Sequence, residues 1–316
     1  MQGGVWGPLQ CSVQIDEIGK ECLQTGKYIY KYKGSVNVPP LAMIDDVAAI
    51  GKCGINSVML NSFINTKIKA DKLTFGENKC HKLHIENGKF DSECLDLMVQ
   101  NSEMSTVKTI KYLGEQENNN GKNDINIEER CKKGLGINSQ TLGLVKEISL
   151  GNHFFEIGLL LRDSNLINGI MYNSEAWYGV LQRHIEKMEK VDEAYLRSLL
   201  DAHSKTPIES LYIETGKMPL RFILQKRRLI YWHHLVNLKN DSLLKKFYEA
   251  QLNQPVKGDW VTLLKKDKDD FQIKFTDEEL KGISKSKFKK IIKKKANKIA
   301  IEYLKKLKAN IVKWKT

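Results

Sequence analysis

Apolar positions recur every three or four residues through most of the chain after residue 126, which predicts a series of amphipathic helices. Helices are predicted over residues 127–147, 185–200, 220–238 and 284–308, with Pro219 at the start of the third. Residues 154–177 are apolar and predicted to be buried, whereas 253–274 are predicted to form a loop with one short element. The positions predicted to face the core are Ile137, Leu142, Leu144 and Val145, then Ile185, Met188, Val191, Tyr195, Leu196, Leu199 and Leu200, and finally Phe288, Ile291, Ile292, Ala296, Ile299, Tyr303, Leu304 and Leu307.

The pattern before residue 116 is mixed and favours short strands as well as helices. Residues 27–34 alternate as a strand does and are rich in tyrosine. Residues 41–50 hold two short apolar runs around Asp45 and Asp46, which predicts two strands joined by a tight turn with the carboxylates at its tip. Residues 116–126 are polar without a period, so a loop or linker is predicted there.

The adjacent carboxylates Asp45 and Asp46 suit a hard cation. Mg²⁺ uses one or two carboxylates and leaves room for substrate phosphates. Two such ions can hold the attacking and leaving oxygens in phosphoryl transfer. The alternative is an ordinary polar turn, and it is the more frequent explanation of an isolated Asp-Asp dipeptide.

The surrounding segments add to this carboxylate pair. Residues 2–16 form a glycine-rich run that continues into a helix-like stretch, and residues 73–85 end in a strand-like alternation followed by a turn at 86–89. The run Tyr112-Leu113-Gly114 follows. In this order and spacing the chain resembles the palm of a reverse transcriptase of the non-LTR (LINE-like) retrotransposon class.

The resemblance assigns a motif to each segment. Residues 2–16 look like the B motif, Met43-Ile44-Asp45-Asp46 matches the C motif, residues 76–82 look like the D motif, and Tyr112-Leu113-Gly114 looks like the E motif, the primer grip. Two later segments, 173–177 and 206–229, are similar to the helical region that follows the palm in these elements, so the likeness spans residues 2–240. Each motif is weak alone, and their shared order is the stronger signal.

The resemblance implies RNA-directed DNA synthesis with Mg²⁺, on an RNA template and a DNA primer, with dNTP as substrate and no other small-molecule cofactor. It implies that Asp45 and Asp46 hold the metal ions and that Lys79 lies near the departing pyrophosphate. The residues implied to bind nucleotide or primer are Gln2, Gly3, Pro8, Tyr112, Leu113 and Gly114. Nuclear residence is also what the family implies.

The sequence departs from the family pattern in two places. It begins inside the B motif, so the fingers and the A motif, which supplies the third catalytic aspartate, would precede it. Val5-Trp6-Gly7 also interrupts the usual Gln-Gly-x-Pro run. A two-ion site uses that further carboxylate, so we expect weak metal binding and no primer extension by this chain alone.

Together these patterns predict an α+β fold: a partial palm, consisting of a small antiparallel sheet with helices, followed by a mostly helical remainder. The predicted parts are the palm over 1–115, thumb-like helices over 116–165, a helical region over 166–262 and a lysine-rich helix over 263–316.

Charge is concentrated at the end of the sequence. The chain has a net charge of +13, and residues 281–316 hold fourteen lysines and one acid, Glu302, so the rest is net neutral. This charge favours contact with a nucleic acid, for which the candidate residues are Lys289, Lys290, Lys293, Lys294 and Lys295. A solvated lysine face is the alternative, and a membrane surface is the least favoured partner. A non-catalytic nucleic-acid-binding module, or an inactive relic, is therefore the second functional hypothesis.

The six cysteines are scattered and include no Cys-x-x-Cys pair, which fits reduced thiols in an intracellular protein. Zinc binding by Cys80, His81, His84 and Cys94 is an alternative whose spacing fits no common zinc finger. The sequence shows neither an apolar run of membrane-spanning length nor a signal-like start, so we expect no transmembrane segment and no secretion.

Overall fold

The computed structural model describes residues 6–27, 29–43, 46–51, 55–84, 96–148 and 153–313, without the side chains of 6–15, 42, 55, 148 and 310–313. The chain divides into two compact units, Met1–Lys122 and Asn123–Thr316. The described residues form a mixed α+β fold in which the strands belong to the first unit and the second unit is helical. The finer four-part division stays a prediction.

The first unit contains two long helices, α1 (Trp6–Thr25) and α2 (Ile55–Ala70), and a 3₁₀ turn at Glu77–Lys79. Its described strands are β1 (Tyr30–Tyr32), β2 (Val36–Val38), β3 (Leu41–Met43), β4 (Asp46–Ala48), β5 (His81–Leu83), β6 (Met98–Val99), β7 (Ser102–Glu103), β8 (Ser105–Val107), β9 (Thr109–Tyr112) and β10 (Glu115–Asn118). They pair two by two: β1–β2, β3–β4, β6–β7 and β9–β10 are antiparallel, and β5–β8 is parallel. The small sheet predicted as antiparallel is therefore a set of separate pairs, one of them parallel, among the described strands.

The core of the first unit lies between its two long helices. Ile18 and Cys22 of α1 meet Leu60, Ile64 and Ile68 of α2, and these residues recur every four positions along each helix. Val47 of β4 packs against this cluster, and α1 packs on β3. Val47 thus attaches the hairpin that carries Asp46 to the core of the first unit.

Several predictions for the first unit are confirmed and others are wrong. The strand predicted within 27–34 and the hairpin within 41–50 are confirmed as β1 and β3–β4. In the glycine-rich segment, α1 begins at Trp6, so the described part of this segment is helical. The stretch 116–126 is not wholly a linker, because residues 116–118 belong to β10 and a helix begins at Asp124. The turn predicted at 86–89 lies outside the described residues.

The second unit is built from helices α3 (Asp124–Ile148), α4 (Phe154–Leu161), α5 (Ile167–Ile170), α6 (Gln182–Leu199), α7 (Ile208–Thr215), α8 (Leu220–Val236), α9 (Leu243–Asn253), α10 (Trp260–Asp270), α11 (Asp277–Lys281) and α12 (Lys285–Lys313). A π-helical segment, Arg162–Leu166, joins α4 to α5, and a 3₁₀ turn lies at Ser174–Ala176.

Helix α8 is central in this unit. Leu220 and Leu224 belong to a core with α3, α5, α6 and α7, while Leu229 and Trp232 belong to a second core with α9, α10, α11 and α12. Between its ends α8 has one fully exposed residue, His234, and its neighbour His233 is buried and bonds the carbonyl of Ile283 at 2.7 Å. The two adjacent histidines point to different faces, as predicted.

The predicted faces of α6 and α12 are confirmed. Met188, Val191, Tyr195, Leu196 and Leu199 are buried on α6, with Ile185 and Leu200 partly buried. On α12, Phe288, Ile292 and Ala296 are fully buried, and the other predicted positions are partly buried.

The predicted face of α3 is wrong at Leu144, which is exposed. The buried stripe of α3 consists of Ile127, Arg130, Gly134, Asn138, Thr141 and Val145. Four of these six positions are polar or glycine, so hydrophobicity alone reveals only part of the buried face. The predicted Val145 is buried, and Ile137 and Leu142 are partly buried against the core. Gly134 is required by close packing, because a Cβ there would lie 2.7 Å from Cγ1 of Ile170.

Two further predictions need correction. The stretch 253–274 contains the full helix α10, and its buried residues include Asp267. The segment 154–177, predicted to be apolar and buried, has exceptions to both properties. Leu160 and Tyr172 are exposed, and the charged Arg162 is buried. No helix among the described residues is both long and apolar enough to cross a membrane.

Candidate functional site

The first candidate site is the hairpin β3–β4. The two strands pair antiparallel with Met43 opposite Asp46, and the Asp46 side chain is exposed. Ile44 and Asp45 lie between these strands in the sequence and outside the described residues. Asp46 is therefore the member of the predicted carboxylate pair whose position is known.

Tyr112 is a residue of the first unit on which the charge of Asp46 acts. Partial burial and the negative charge of Asp46 both raise the pKa of the Tyr112 phenol. Tyr112 ends β9, and Leu113 and Gly114 connect it to β10 with positive φ angles of 46° and 84°. Two positive φ angles are typical of a type I′ turn, whose twist matches that of an antiparallel hairpin. The charge of Asp46, in the hairpin that the resemblance assigns to the C motif, therefore acts on the end of β9, in the hairpin that it assigns to the E motif.

Lys79 ends the 3₁₀ turn Glu77–Lys79 just before β5, and its side chain is exposed. Strand β5 contacts β9, the strand that ends at Tyr112. Among the described residues no hydrogen bond or ion pair joins Lys79 to Asp46 or Tyr112.

The remaining predicted nucleotide-binding residues lie at the start of the chain. Gln2 and Gly3 fall outside the described residues, and Pro8 is in the first turns of α1. Asp16, further along α1, pairs with Lys20 at 2.7 Å on the helix surface.

The described residues do not form a complete metal site. Among them no three His, Cys, Asp or Glu side chains are grouped as ligands would be, and Asp46 is the only described carboxylate of the C motif. The two-ion arrangement that the resemblance implies needs more donors than these described residues supply. For the zinc alternative, Nδ1 of His81 bonds the hydroxyl of Ser105 at 2.9 Å, and Cys94 lies outside the described residues.

The second candidate site is the outer face of α12. Lys289, Lys290, Lys293 and Lys294 are exposed, and within the described residues none of them pairs with a carboxylate. Lys295 differs, because its ammonium donates to the carbonyls of Phe271 and Gln272 at 3.2 and 2.8 Å. Lys295 therefore satisfies backbone carbonyls at the C-terminus of α10, and its positive charge also interacts favourably with the negative end of the helix dipole.

Helix α8 also carries several cations, although all its residues except His234 are buried or partly buried. Arg221 binds Glu189 with Nε–Oε1 at 2.9 Å, and Arg228 binds Asp267 at 2.6 Å. Arg227 donates to Asn168 at 2.8 Å and to the carbonyl of Met171. Lys226, partly buried beside them, has no hydrogen bond or ion pair with the described residues. Sequence reasoning missed Lys226, although three consecutive cations at 226–228 cannot all face solvent on one helix.

The later motifs of the resemblance have structural roles. Asn173 adopts a left-handed conformation before Ser174–Ala176, and the carbonyl of Glu175 accepts the indole N–H of Trp260 at 2.7 Å. Pro207 and Pro219 directly precede α7 and α8. These residues fix loops between helices.

No family model, curated protein or solved structure matches this chain.

Proposed function

We propose that the chain is a part of an RNA-directed DNA polymerase of the non-LTR retrotransposon class, in which hairpin β3–β4 contributes to Mg²⁺-dependent nucleotidyl transfer. The observation that carries the proposal is that the charge of Asp46 acts on the phenol of Tyr112. These residues are far apart in sequence, and the resemblance gives one to the metal site and the other to the primer grip. The metal-bound phosphate and the primer end must meet in such a reaction, so a charge effect of Asp46 on Tyr112 supports the proposal.

The proposed roles follow the resemblance. Asp45 and Asp46 hold Mg²⁺, Tyr112 with Leu113 and Gly114 seats the primer end, and Lys79 acts near the pyrophosphate. Gln2, Gly3 and Pro8 contribute to the nucleotide pocket.

Iron-mediated cleavage of the backbone tests the metal role in the full chain. Fe²⁺ can replace Mg²⁺ at oxygen ligands, and with ascorbate and peroxide it generates radicals that cut nearby peptide bonds. We expect cuts in two separate segments, near 41–48 and near 109–115, and suppression of both by excess Mg²⁺.

The matched variants are Asp46→Asn and Asp71→Asn, which remove an exposed acid from the same unit. Asp46→Asn should abolish both sets of cuts, as should Asp45→Asn, and Asp71→Asn should leave them unchanged. Cuts that persist in Asp46→Asn, or cuts near 41–48 without any near 109–115, would refute the proposal.

The exposed lysines of α12 favour a second function, the binding of nucleic acid through phosphates. Four neighbouring cations on one helical face, without carboxylate partners among the described residues, provide a favourable electrostatic surface for a polyanion. We propose that this face binds the backbone of an RNA–DNA or DNA duplex and that most of the binding free energy is electrostatic.

Deletion of residues 281–316 would be a poor test, because it also removes Phe288, Ile292 and Ala296 from the core. Substitution of Lys289, Lys290, Lys293 and Lys294 by Gln leaves that core intact. The matched control replaces four exposed lysines elsewhere in the second unit, Lys239, Lys246, Lys257 and Lys274, with Gln.

Fluorescence anisotropy of a labelled duplex at several salt concentrations gives the slope of log K against log salt. Each lost phosphate contact should reduce that slope by about 0.9. We expect a large reduction for the α12 variant and little for the control set. Equal reductions for both sets would mean that net charge alone causes binding.

A further inference from the structure

A groove lies along one side of α2 in the first unit. It has a volume of about 710 Å³, which is within the size range of small-molecule sites. The described residues that line it come from α2, from the turn that follows α2 and from the segment around β6. None of these lining residues belongs to the four palm motifs that the resemblance assigns. The groove is therefore a concave surface that neither proposed function uses.

Side-chain hydrogen bonds hold the two walls of the groove together. The amides of Asn61 and Asn65 on α2 both donate to the carbonyl of Met98 in β6, at 2.6 and 2.7 Å. The backbone N–H of Gln100 donates to the amide oxygen of Asn65 at 3.5 Å. The apolar part of the lining consists of Val58, Ile68, Leu73 and Met98. The groove thus lies between packed elements, with polar walls and an apolar component.

Two lysines line the groove near the C-terminus of α2. Lys69 is in the last turn of this helix, and Lys72 follows the helix end. Both side chains are exposed, and among the described residues neither ammonium pairs with a carboxylate. Asp96 also lines the groove, and its carboxylate lies 4.0 Å from the ammonium of the buried Lys82. The described lining is therefore net positive, which favours an anionic ligand.

The backbone conformation of Lys72 is unfavourable for a lysine. Its φ of 57° is in the left-handed region, and its N–H donates to the carbonyl of Lys69 at 3.1 Å, which helps to end α2. Glycine usually occupies such a position, because a Cβ is strained in this conformation. A glycine would therefore end the helix at a lower cost, and the fold alone does not explain the lysine side chain in the groove.

We propose that this groove binds a sugar phosphate, with its phosphate held by Lys69 and Lys72. A phosphate accepts several charge-assisted hydrogen bonds at once, which suits two ammonium groups from residues three positions apart. The other polar side chains of the lining, among them Asn61, Ser62 and Asn101, provide donors and acceptors for sugar hydroxyls. The proposal does not depend on the polymerase role or on the lysine face of α12.

Isothermal titration calorimetry of the full chain at constant ionic strength tests the ligand class. The probes are ribose 5-phosphate, ribose and inorganic phosphate. We expect ribose 5-phosphate to bind roughly tenfold more tightly than either of the other two, because both ends of the groove contribute. Ser62→Ala should weaken binding of ribose 5-phosphate and leave inorganic phosphate unchanged. Equal affinity for inorganic phosphate and ribose 5-phosphate, or binding of neither, would refute the proposal.

Lys72→Gly is the sharpest variant, because it removes the cation from a backbone position that glycine accepts. It should weaken binding of ribose 5-phosphate roughly tenfold, as should Lys69→Gln, while the urea midpoint of Lys72→Gly stays the same or rises. The matched control is Lys33→Gly, which replaces another left-handed lysine of the first unit, with a φ of 47°, outside the groove. The proposal fails if Lys72→Gly and Lys69→Gln bind as the parent chain does, or if Lys33→Gly weakens binding equally.

Discussion

The ion pair between Arg162 and Asp192 gives the sharpest prediction about stability. Both side chains are almost completely buried, at 1% and 0% exposure. Arg162 donates from Nε to one Asp192 oxygen at 2.7 Å and from Nη2 to the other at 2.6 Å, and Tyr212 donates to Asp192 at 3.0 Å. The pair thereby joins the π-helical segment to α6 and α7.

Replacing Arg162 with Met leaves the buried Asp192 with Tyr212 as its remaining side-chain donor. Breaking a buried pair in this way costs about 3–5 kcal/mol, since the other charge stays desolvated. For a domain of 150–250 residues each kcal/mol corresponds to about 2–4 °C, so the melting temperature should fall by roughly 6–20 °C. The double variant Arg162→Met/Asp192→Leu removes both charges and should recover most of the loss.

Urea unfolding followed by circular dichroism of the helices measures these differences, with an unchanged slope as the check on two-state behaviour. The control is Lys217→Met, which removes a partly exposed pair with Asp163 and should cost about 1 kcal/mol or less. The reasoning fails if Arg162→Met costs no more than Lys217→Met, or if the double variant is as unstable as the single one.

The other predictions concern packing, acid stability and the candidate site. Gly134→Ala should destabilise the protein by about 1–3 kcal/mol, because the new Cβ would overlap Ile170. Gly143→Ala on the same helix places its Cβ in open space and should stabilise the protein by roughly 0.5–1 kcal/mol. Urea unfolding of the two variants measures both differences. Hydrogen bonds from His184 and Arg183 lower the pKa of Asp124 to about 2. The ionised Asp124 carboxylate therefore stabilises the fold above pH 4, and this contribution is lost as the pH falls through about 2. Asp124→Asn should flatten the dependence of the unfolding free energy on pH between 4 and 2. An unchanged dependence would contradict the bonds from His184 and Arg183 to Asp124. Asp46→Asn should lower the pKa of Tyr112, measured by ¹³Cζ tyrosine NMR, and an unchanged value would mean that the two hairpin tips are not close.

Hydrophobic periodicity predicts those helices whose buried faces are themselves apolar. This holds for α12, whose buried residues are Phe288, Ile292, Ala296 and Ala300, and for the apolar stripe of α6. Helix α6 also buries His184, Glu189 and Asp192, which the periodicity does not predict. It succeeds only in part for α3, because Arg130, Asn138 and Thr141 occupy core positions and the apolar Leu144 faces outward. Asn138 is accommodated there because its amide donates to the carbonyl of Val191 at 2.9 Å, a partner that local sequence cannot reveal.

Similar reasons explain the missed elements. Strand β10 consists of Glu115, Gln116, Glu117 and Asn118, and it forms through backbone pairing with β9 across the Leu113-Gly114 turn, not through burial of an apolar face. In α10 one inward position is Asp267, whose charge is balanced by Arg228 from α8. Both β10 and α10 depend on pairing with residues outside their own segments. A hydrophobic pattern within a short window therefore cannot predict either element.

For the candidate site, sequence predicted the hairpin around Asp46 and the lysine face of α12. Local periodicity could not predict that the charge of Asp46 acts on Tyr112, because dozens of residues separate them. It also could not distinguish Lys295, whose ammonium satisfies the end of α10, from its exposed neighbours on the same helix.

Helix α12 has one face in the core and the other toward solvent, which couples ligand binding to folding. Phe288, Ile292 and Ala296 complete the core around Trp232, so the outer lysines are in register only while the inner face is packed. A polyanion that binds this register and not the unfolded chain stabilises the native state by RT ln(1 + [L]/Kd), about 2.7 kcal/mol at one hundred times Kd. Under the proposed nucleic-acid binding, loss of that ligand would therefore lower the resistance of the helical unit to proteolysis, and the abundance of the protein in a cell would depend on how much ligand is present.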